Sequence, residues 1–326
     1  MFRPTRSLLC VISALLATSR ADVTFEEKPD RVTVKINGSL FTEYRHGDAS
    51  HVYYWPLIGP GGAKMTRTYP MEKIEGESYD HPHHRSLWFS HGIVNGVDFW
   101  SEAATFGGKP SKRPVGVTEH VKVLAMEPGK VSGVLKTSQK WAAPDGTVPL
   151  TSVQVLRVHA GPETERMLDF EVTLTAGDKD AVFGDTKEGS ASLRIAESMR
   201  VKQPKAPGEG HILNDSGVKD TQVWGQHASW VTMSGPVAGK PYAITFMDHP
   251  SNLRHPTRWH ARDYGLFAAN PFCEGDMDKS KAKGDGDYTL KAGQSITLKY
   301  RILITEGDEA AAKQEARYKE YTFSVK

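Results

Sequence analysis

Cysteine is nearly absent: the 326 residues contain two, Cys10 and Cys273. Cys10 lies inside an apolar run, Leu8 to Ala17, that follows Arg3 and Arg6 and precedes the small residues Ser19 and Ala21. That order reads as a signal peptide over residues 1–21, cleaved after Ala21. Cys273 is then left alone, which excludes an internal disulfide framework and leaves the core to hold the fold. No later segment approaches the ~20 apolar residues of a membrane span. The expectation is an exported protein, periplasmic or secreted, without a membrane span. An excess of charge of one sign is also missing: without Arg3, Arg6 and Arg20 the 41 basic residues become 38, against 39 acidic. A neutral chain without a basic run gives no electrostatic reason to expect a nucleic-acid partner.

Strand–helix alternation is lacking too, which excludes a doubly wound sheet. What is present is a period of two. Val32, Val34 and Ile36 alternate with Thr33 and Lys35 and lead into Asn37-Gly38, a two-residue hairpin turn. Leu168, Phe170, Val172 and Leu174 alternate with polar residues, as do Ile296, Leu298, Tyr300, Ile302 and Ile304. Turn signals at Pro128-Gly129, Pro144-Asp145-Gly146, Gly161-Pro162 and Ala292-Gly293 divide the middle of the chain into an antiparallel meander. One segment has helical composition, opening at Asp308 or Glu309 into AAAKQEARYKEY, and is expected on a sheet edge. The pattern predicts an all-β antiparallel sandwich over residues 22–326 as a single domain, with a short C-terminal helix.

Chemistry-bearing residues concentrate in DHPHHRSLWFSHGIVNGVDFW, where His81, His83, His84 and His91 fall within eleven residues, beside Asp80 and Arg85. Imidazole titrates near neutrality and can donate, accept or ligate. If the segment is extended, His81 and His83 point to one side and His84 to the other. One reading is a metal site using His81, His83 and His91; a complete ligand set is not legible, so no cofactor is predicted, and a divalent metal is the alternative. The other reading is metal-free acid–base catalysis on a sugar, with Trp88, Phe89, Phe99 and Trp100 offering apolar faces. A third is structural, with the aromatics as core and the histidines satisfied by hydrogen bonds. Arg67, Glu197, Arg200, His249, Trp259, His260, Arg262 and Asn270 are candidates to converge from elsewhere; Trp259, Arg262 and Tyr264 look like one face of a strand. Gly59–Gly62 reads as a turn, since no helix or lysine–hydroxyl pair follows it. No serine nucleophile elbow is present, and Cys273 has no local sign of activation.

The segments LIGPGG, MTRTYP, DHPHHRSLWFSHGIVNGVDFW and WHARDYGLFAANPF resemble an uncharacterised bacterial family labelled "methane oxygenase PmoA". The glycine-rich turn, the histidine–arginine motif and the closing YTLKAGQSITLKYRILIT hairpin look like sugar-mutarotase-type supersandwich proteins, a group that includes epimerases, lyases and noncatalytic domains of glycoside hydrolases. The resemblance implies a galactose-mutarotase-like supersandwich. The reading is a carbohydrate-active enzyme (hydrolase, lyase or epimerase) acting on a small-molecule or oligosaccharide ligand. His83, His84, Asp80, His91 and Glu197 are its expected catalytic residues, and Arg67, Arg85, Trp88, Trp259 and Arg262 its expected substrate holders. A metal-dependent oxygenase or hydrolase and a noncatalytic carbohydrate-binding protein are the alternatives.

Overall fold

The computed structural model describes residues 22–310 and 312–323; the expected signal peptide lies outside the described residues. Alternation does what its period requires. Along Glu165–Ala176 and Leu150–His159 every second side chain is buried, so each strand offers one apolar face. Eight strands, these two among them, form an antiparallel sheet in the order His211–Asn214, Trp230–Val237, Lys240–Asp248, Ser295–Glu306, Glu165–Ala176, Leu150–His159, Ser132–Ala142, Val117–Glu127. The last four are the expected meander, joined at the expected turns.

A second eight-stranded sheet has the order Val23–Lys28, Arg31–Ile36, Ser39–Arg45, Tyr53–Tyr54, Leu87–His91, Gly189–Arg194, Leu266–Asn270, Arg258–Trp259. Its opening hairpin turns at Asn37 and Gly38, both at positive φ (53° and 76°), as a type I′ turn requires. The two sheets pack face to face: Tyr54 meets Phe170 at 5.7 Å and Phe267 meets Phe246 at 5.7 Å between ring centroids. The result is the antiparallel β-sandwich expected, with eight strands in each main sheet.

The central strands of the second sheet depart from alternation. Leu87–His91, Gly189–Arg194 and Leu266–Asn270 are buried at every position. Leu87, Phe89, Ala191, Leu193, Phe267 and Ala269 face the inter-sheet core. Tyr53, Trp88, Leu266 and Ala268 belong to a separate cluster with Trp100, on the opposite face. Loops cover that face, and the polar residues of interest lie in this covering layer.

Two expectations need correcting. Tyr288–Leu290 does not form a hairpin with Ser295–Glu306; it pairs with Ala181–Phe183, while Ser295–Glu306 pairs with Glu165–Ala176 and, from Tyr300 onward, with Lys240–Asp248. The helix begins at Gln314, after Lys313 at φ 49°, and not at 308 or 309. It packs on a sheet face, not an edge, since Tyr321 joins Trp230, Met247 and Leu303 on inner strands. Among the described residues no helix is long and apolar enough to cross a membrane.

Candidate functional site

The histidine motif is a turn, not a strand. His84 N–H donates to the His81 carbonyl at 3.0 Å, and His81 and Ser86 have φ of 44° and 57°. A left-handed backbone is costly for a non-glycine residue and is held only by its surroundings. The turn stacks the His81 ring parallel to His84, centroids 4.8 Å apart and planes at 11°. The expectation of opposite sides for these two is overturned, because strand alternation begins only at Leu87.

The segment Met65–Arg67 runs beside the end of Gly189–Arg194, with Arg67 N–H donating to the Arg194 carbonyl at 3.2 Å. That pairing brings two wholly buried guanidinium groups together. Both converge on one atom, Asp80 Oδ1, at 2.6 Å from Arg67 and 3.1 Å from Arg194. His81 Nδ1 stands 3.1 Å from the same oxygen. Burial alone would raise the Asp80 pKa; contact with His81 and the charges of Arg194, His81 and Arg67 outweigh it and hold the carboxyl well below the usual range. Arg67 spends its other donors on the carbonyls of Tyr69, Ser78 and His81. Burial, and secondarily the charge of Arg67, lowers Arg194 to about 10.

Glu197 adjoins this centre. Its carboxylate accepts from Ser78 Oγ at 2.8 Å and from Arg200 at 2.6 Å, with Arg194 at 3.5 Å. Tyr264 forms the wall: its ring is parallel to His81 at 5.1 Å, with Arg194 at 4.8 Å and Arg262 at 5.3 Å from its centroid. Burial pushes the Tyr264 hydroxyl up to about 12. His81 and Asp80 remain open, each side chain 40% exposed. Carboxylate, imidazole and aromatic wall together suit proton transfer at a bound polar molecule.

The other expected catalytic residues lie deeper. His83 is buried, its Nδ1 3.0 Å from Thr105 Oγ1. Burial first, then the charges of His81, Arg67 and Arg194, push it down to about 3. His84 is enclosed between Trp88 and Trp100 with Nδ1 3.4 Å from Arg194, and burial holds it well below the ordinary imidazole value. Both rings are neutral at neutral pH. His91 is not brought to this place: it contacts Phe183 and Phe272, its Nε2 lies 2.9 Å from the Gly184 carbonyl, and burial lowers it to about 4.

The ligand set His81, His83 and His91 is therefore divided, because position 91 shares the core-facing side of its strand with Leu87 and Phe89. Among the described residues no three His, Cys, Asp or Glu side chains are grouped to hold a metal ion.

The expected substrate holders divide likewise. Trp259 is buried in the inter-sheet core, its indole donating to the Ala228 carbonyl at 2.8 Å, so it does not share a face with Arg262 and Tyr264. Those two belong to the turn between Arg258–Trp259 and Leu266–Asn270, closed by Gly265 at φ 91°. Trp88 is wholly buried beneath His84. Arg85 turns away to Glu102, 3.1 Å from both carboxylate oxygens, beside a separate open groove of about 780 Å³. His260 and Asn270 are tied to the carbonyls of Lys187 and Thr186. His249 sits beside Tyr321, away from the cluster. Sequence reading missed Arg194, Ser78 and Trp224; the available signal was an arginine within the small and apolar run GSASLRIA.

No curated protein matches the chain in sequence. Among solved structures, it is similar to an α-galactosidase from Lactobacillus brevis at 9% identity and TM-score 0.41, over 88% of this chain and 40% of that one. The chain thus spans less than half the length of that enzyme. A galactose mutarotase related enzyme from Lactobacillus acidophilus shows 10% identity and TM-score 0.36, over 88% and 97% of the two chains. A putative aldose 1-epimerase from Escherichia coli K12 shows 10% identity and TM-score 0.30, over 87% and 99%. A family model matches residues 31–319, and by that match the chain belongs to the family of unknown function DUF6807.

Proposed function

We propose that this is an exported carbohydrate-active enzyme in which His81, oriented by Asp80, transfers a proton at a bound sugar. The observation that carries the reading is the Asp80–His81 pair. The His81 contact and two buried guanidinium groups keep the carboxylate ionised, its Oδ1 faces the imidazole Nδ1, and Nε2 makes no hydrogen bond among the described residues. A carboxylate so placed selects the Nδ1–H tautomer and leaves Nε2 to accept or deliver a proton. Tyr264 and Arg262 border the same space and serve as substrate holders, with Glu197 as the second carboxylate. His83 and His84, buried and neutral, position His81.

The test is to incubate the protein with aldoses, uronates and simple glycosides in deuterated water and follow exchange, epimerisation, elimination or hydrolysis by proton NMR. His81→Asn and Asp80→Asn are expected to lower turnover by about 10² to 10⁴ while the fold persists. Undiminished turnover in His81→Asn overturns the reading. Burial of His83 and His84 among aromatic rings favours the noncatalytic alternative, a carbohydrate-binding protein. That alternative predicts saturable sugar binding with no product from any member of the panel. The oxygenase suggested by the PmoA-like resemblance needs a ligand set that the divided histidines do not provide.

A further inference from the structure

Arg262 is the one guanidinium at this site without a hydrogen-bonding or ionic partner among the described residues. Its carbon lies 5.3 Å from the Tyr264 ring centroid and 6.0 Å from that of Trp224. Stacking on aromatic faces fixes the guanidinium plane while leaving the edge N–H donors free. Arg262 and Trp224 line a cavity of about 230 Å³ with Thr221, Ala261 and Asp263. The Trp224 indole N–H is buried and has no acceptor, and a buried donor left unmatched in a native fold requires an explanation. Asp263 lines the same cavity without pairing with Arg262. Beyond Tyr264 lies Arg194, and Lys187 adds a further positive charge near Arg262. Ordinary ligand pockets run to about 300–1,000 Å³, so this one is the size of a substituent subsite and not of a whole oligosaccharide.

We propose that this cavity receives the anionic group of an acidic sugar, a carboxylate or a sulfate ester. Arg262 donates to the anion, and Asp263 accepts from a neighbouring hydroxyl. Such a ligand satisfies both side chains. A neutral sugar leaves the guanidinium charge unmatched, and a cation is repelled by it. This substrate class rests on the carbohydrate reading above.

The experiment is isothermal titration of the protein with D-galacturonate and D-glucuronate, N-acetylglucosamine 6-sulfate, neutral D-galactose and D-glucose, and sodium sulfate, repeated on Arg262→Gln and Arg262→Lys. Charged sugars are expected to bind about tenfold or more tighter than neutral ones. Arg262→Gln should abolish the difference and Arg262→Lys retain part of it, with melting temperatures little changed because the Arg262 guanidinium makes no hydrogen bond or ion pair among the described residues and only stacks on Tyr264 and Trp224. The better-bound acid identifies carboxylate or sulfate as the recognised group. Equal binding of charged and neutral sugars, or a preference that survives Arg262→Gln, overturns the proposal. Sulfate binding with no sugar acid bound overturns the substrate class and leaves the carbohydrate reading to the turnover test. Acid binding without turnover keeps the subsite and counts against the acid–base reading alone.

Discussion

Arg194 places a guanidinium nitrogen 3.1 Å from Asp80 Oδ1 across 114 positions of sequence. Arg67 reaches the same oxygen from a third segment, so one carboxylate bridges two buried cations, with Glu197 a second, more distant partner of Arg194. Asp80→Asn removes that compensation. Breaking a fully buried pair costs about 3–5 kcal/mol, and the solvent access of Asp80 reduces the expected loss to about 1–3 kcal/mol. Urea unfolding measures it, and a loss within error of zero means that water already screens the two arginines.

His83 and His91, with His51, His84, His120 and His260, whose imidazoles burial also lowers, give the fold an acid sensitivity. The pKa values of His83 and His91 drop from 6.5 in the reference state to about 3 and about 4 on folding. The unfolded chain therefore binds more protons once pH falls below about 6.5, and stability declines from there until the folded values are reached. Between pH 6.5 and 5 most carboxylates have not begun to titrate, so a falling melting temperature in that window reports the histidines. His91→Gln is expected to flatten the slope. An unchanged slope removes His91 from the account.

Trp259 lies on the core side of its strand. Trp259→Ala should therefore cost about 3–5 kcal/mol of stability, with ligand affinity per folded molecule preserved. A normal melting curve combined with lost sugar binding would return Trp259 to the ligand site.

His84 and His81 stack, but only His81 is open to solvent. His84→Gln is expected to lower stability by about 1–3 kcal/mol through its contact with Arg194, with turnover per folded molecule falling far less than in His81→Asn. Comparable losses of turnover in both variants would mean that His84 takes part in the proton transfer itself.

Metal content provides an independent check. Elemental analysis of the dialysed protein is expected to give less than one tightly bound transition metal per chain. A stoichiometric metal lost on replacing His81 and His83 would reverse that expectation.

Much of the architecture was legible because it depends on local rules. Period-two alternation marks Glu165–Ala176 and Ser295–Glu306 as strands with one apolar face, and Asn37-Gly38 can be read as a hairpin turn from its positive φ requirement alone. The concentration of titratable side chains in residues 79–100 was also visible, in the density of histidine. Which side each residue faces was not. Leu87–His91 is buried on both faces, so its composition has no polar side from which to infer orientation, and His91 could be separated from His81 only by placing the strand between core and loop layer. The meeting of Asp80, Arg67, Arg194 and Glu197 depends on strand order, with Leu87–His91 beside Gly189–Arg194. Local sequence encodes backbone preference and periodicity, whereas long-range pairing is chosen by the burial of both sheets together, and that packing alone brings these charges to one point.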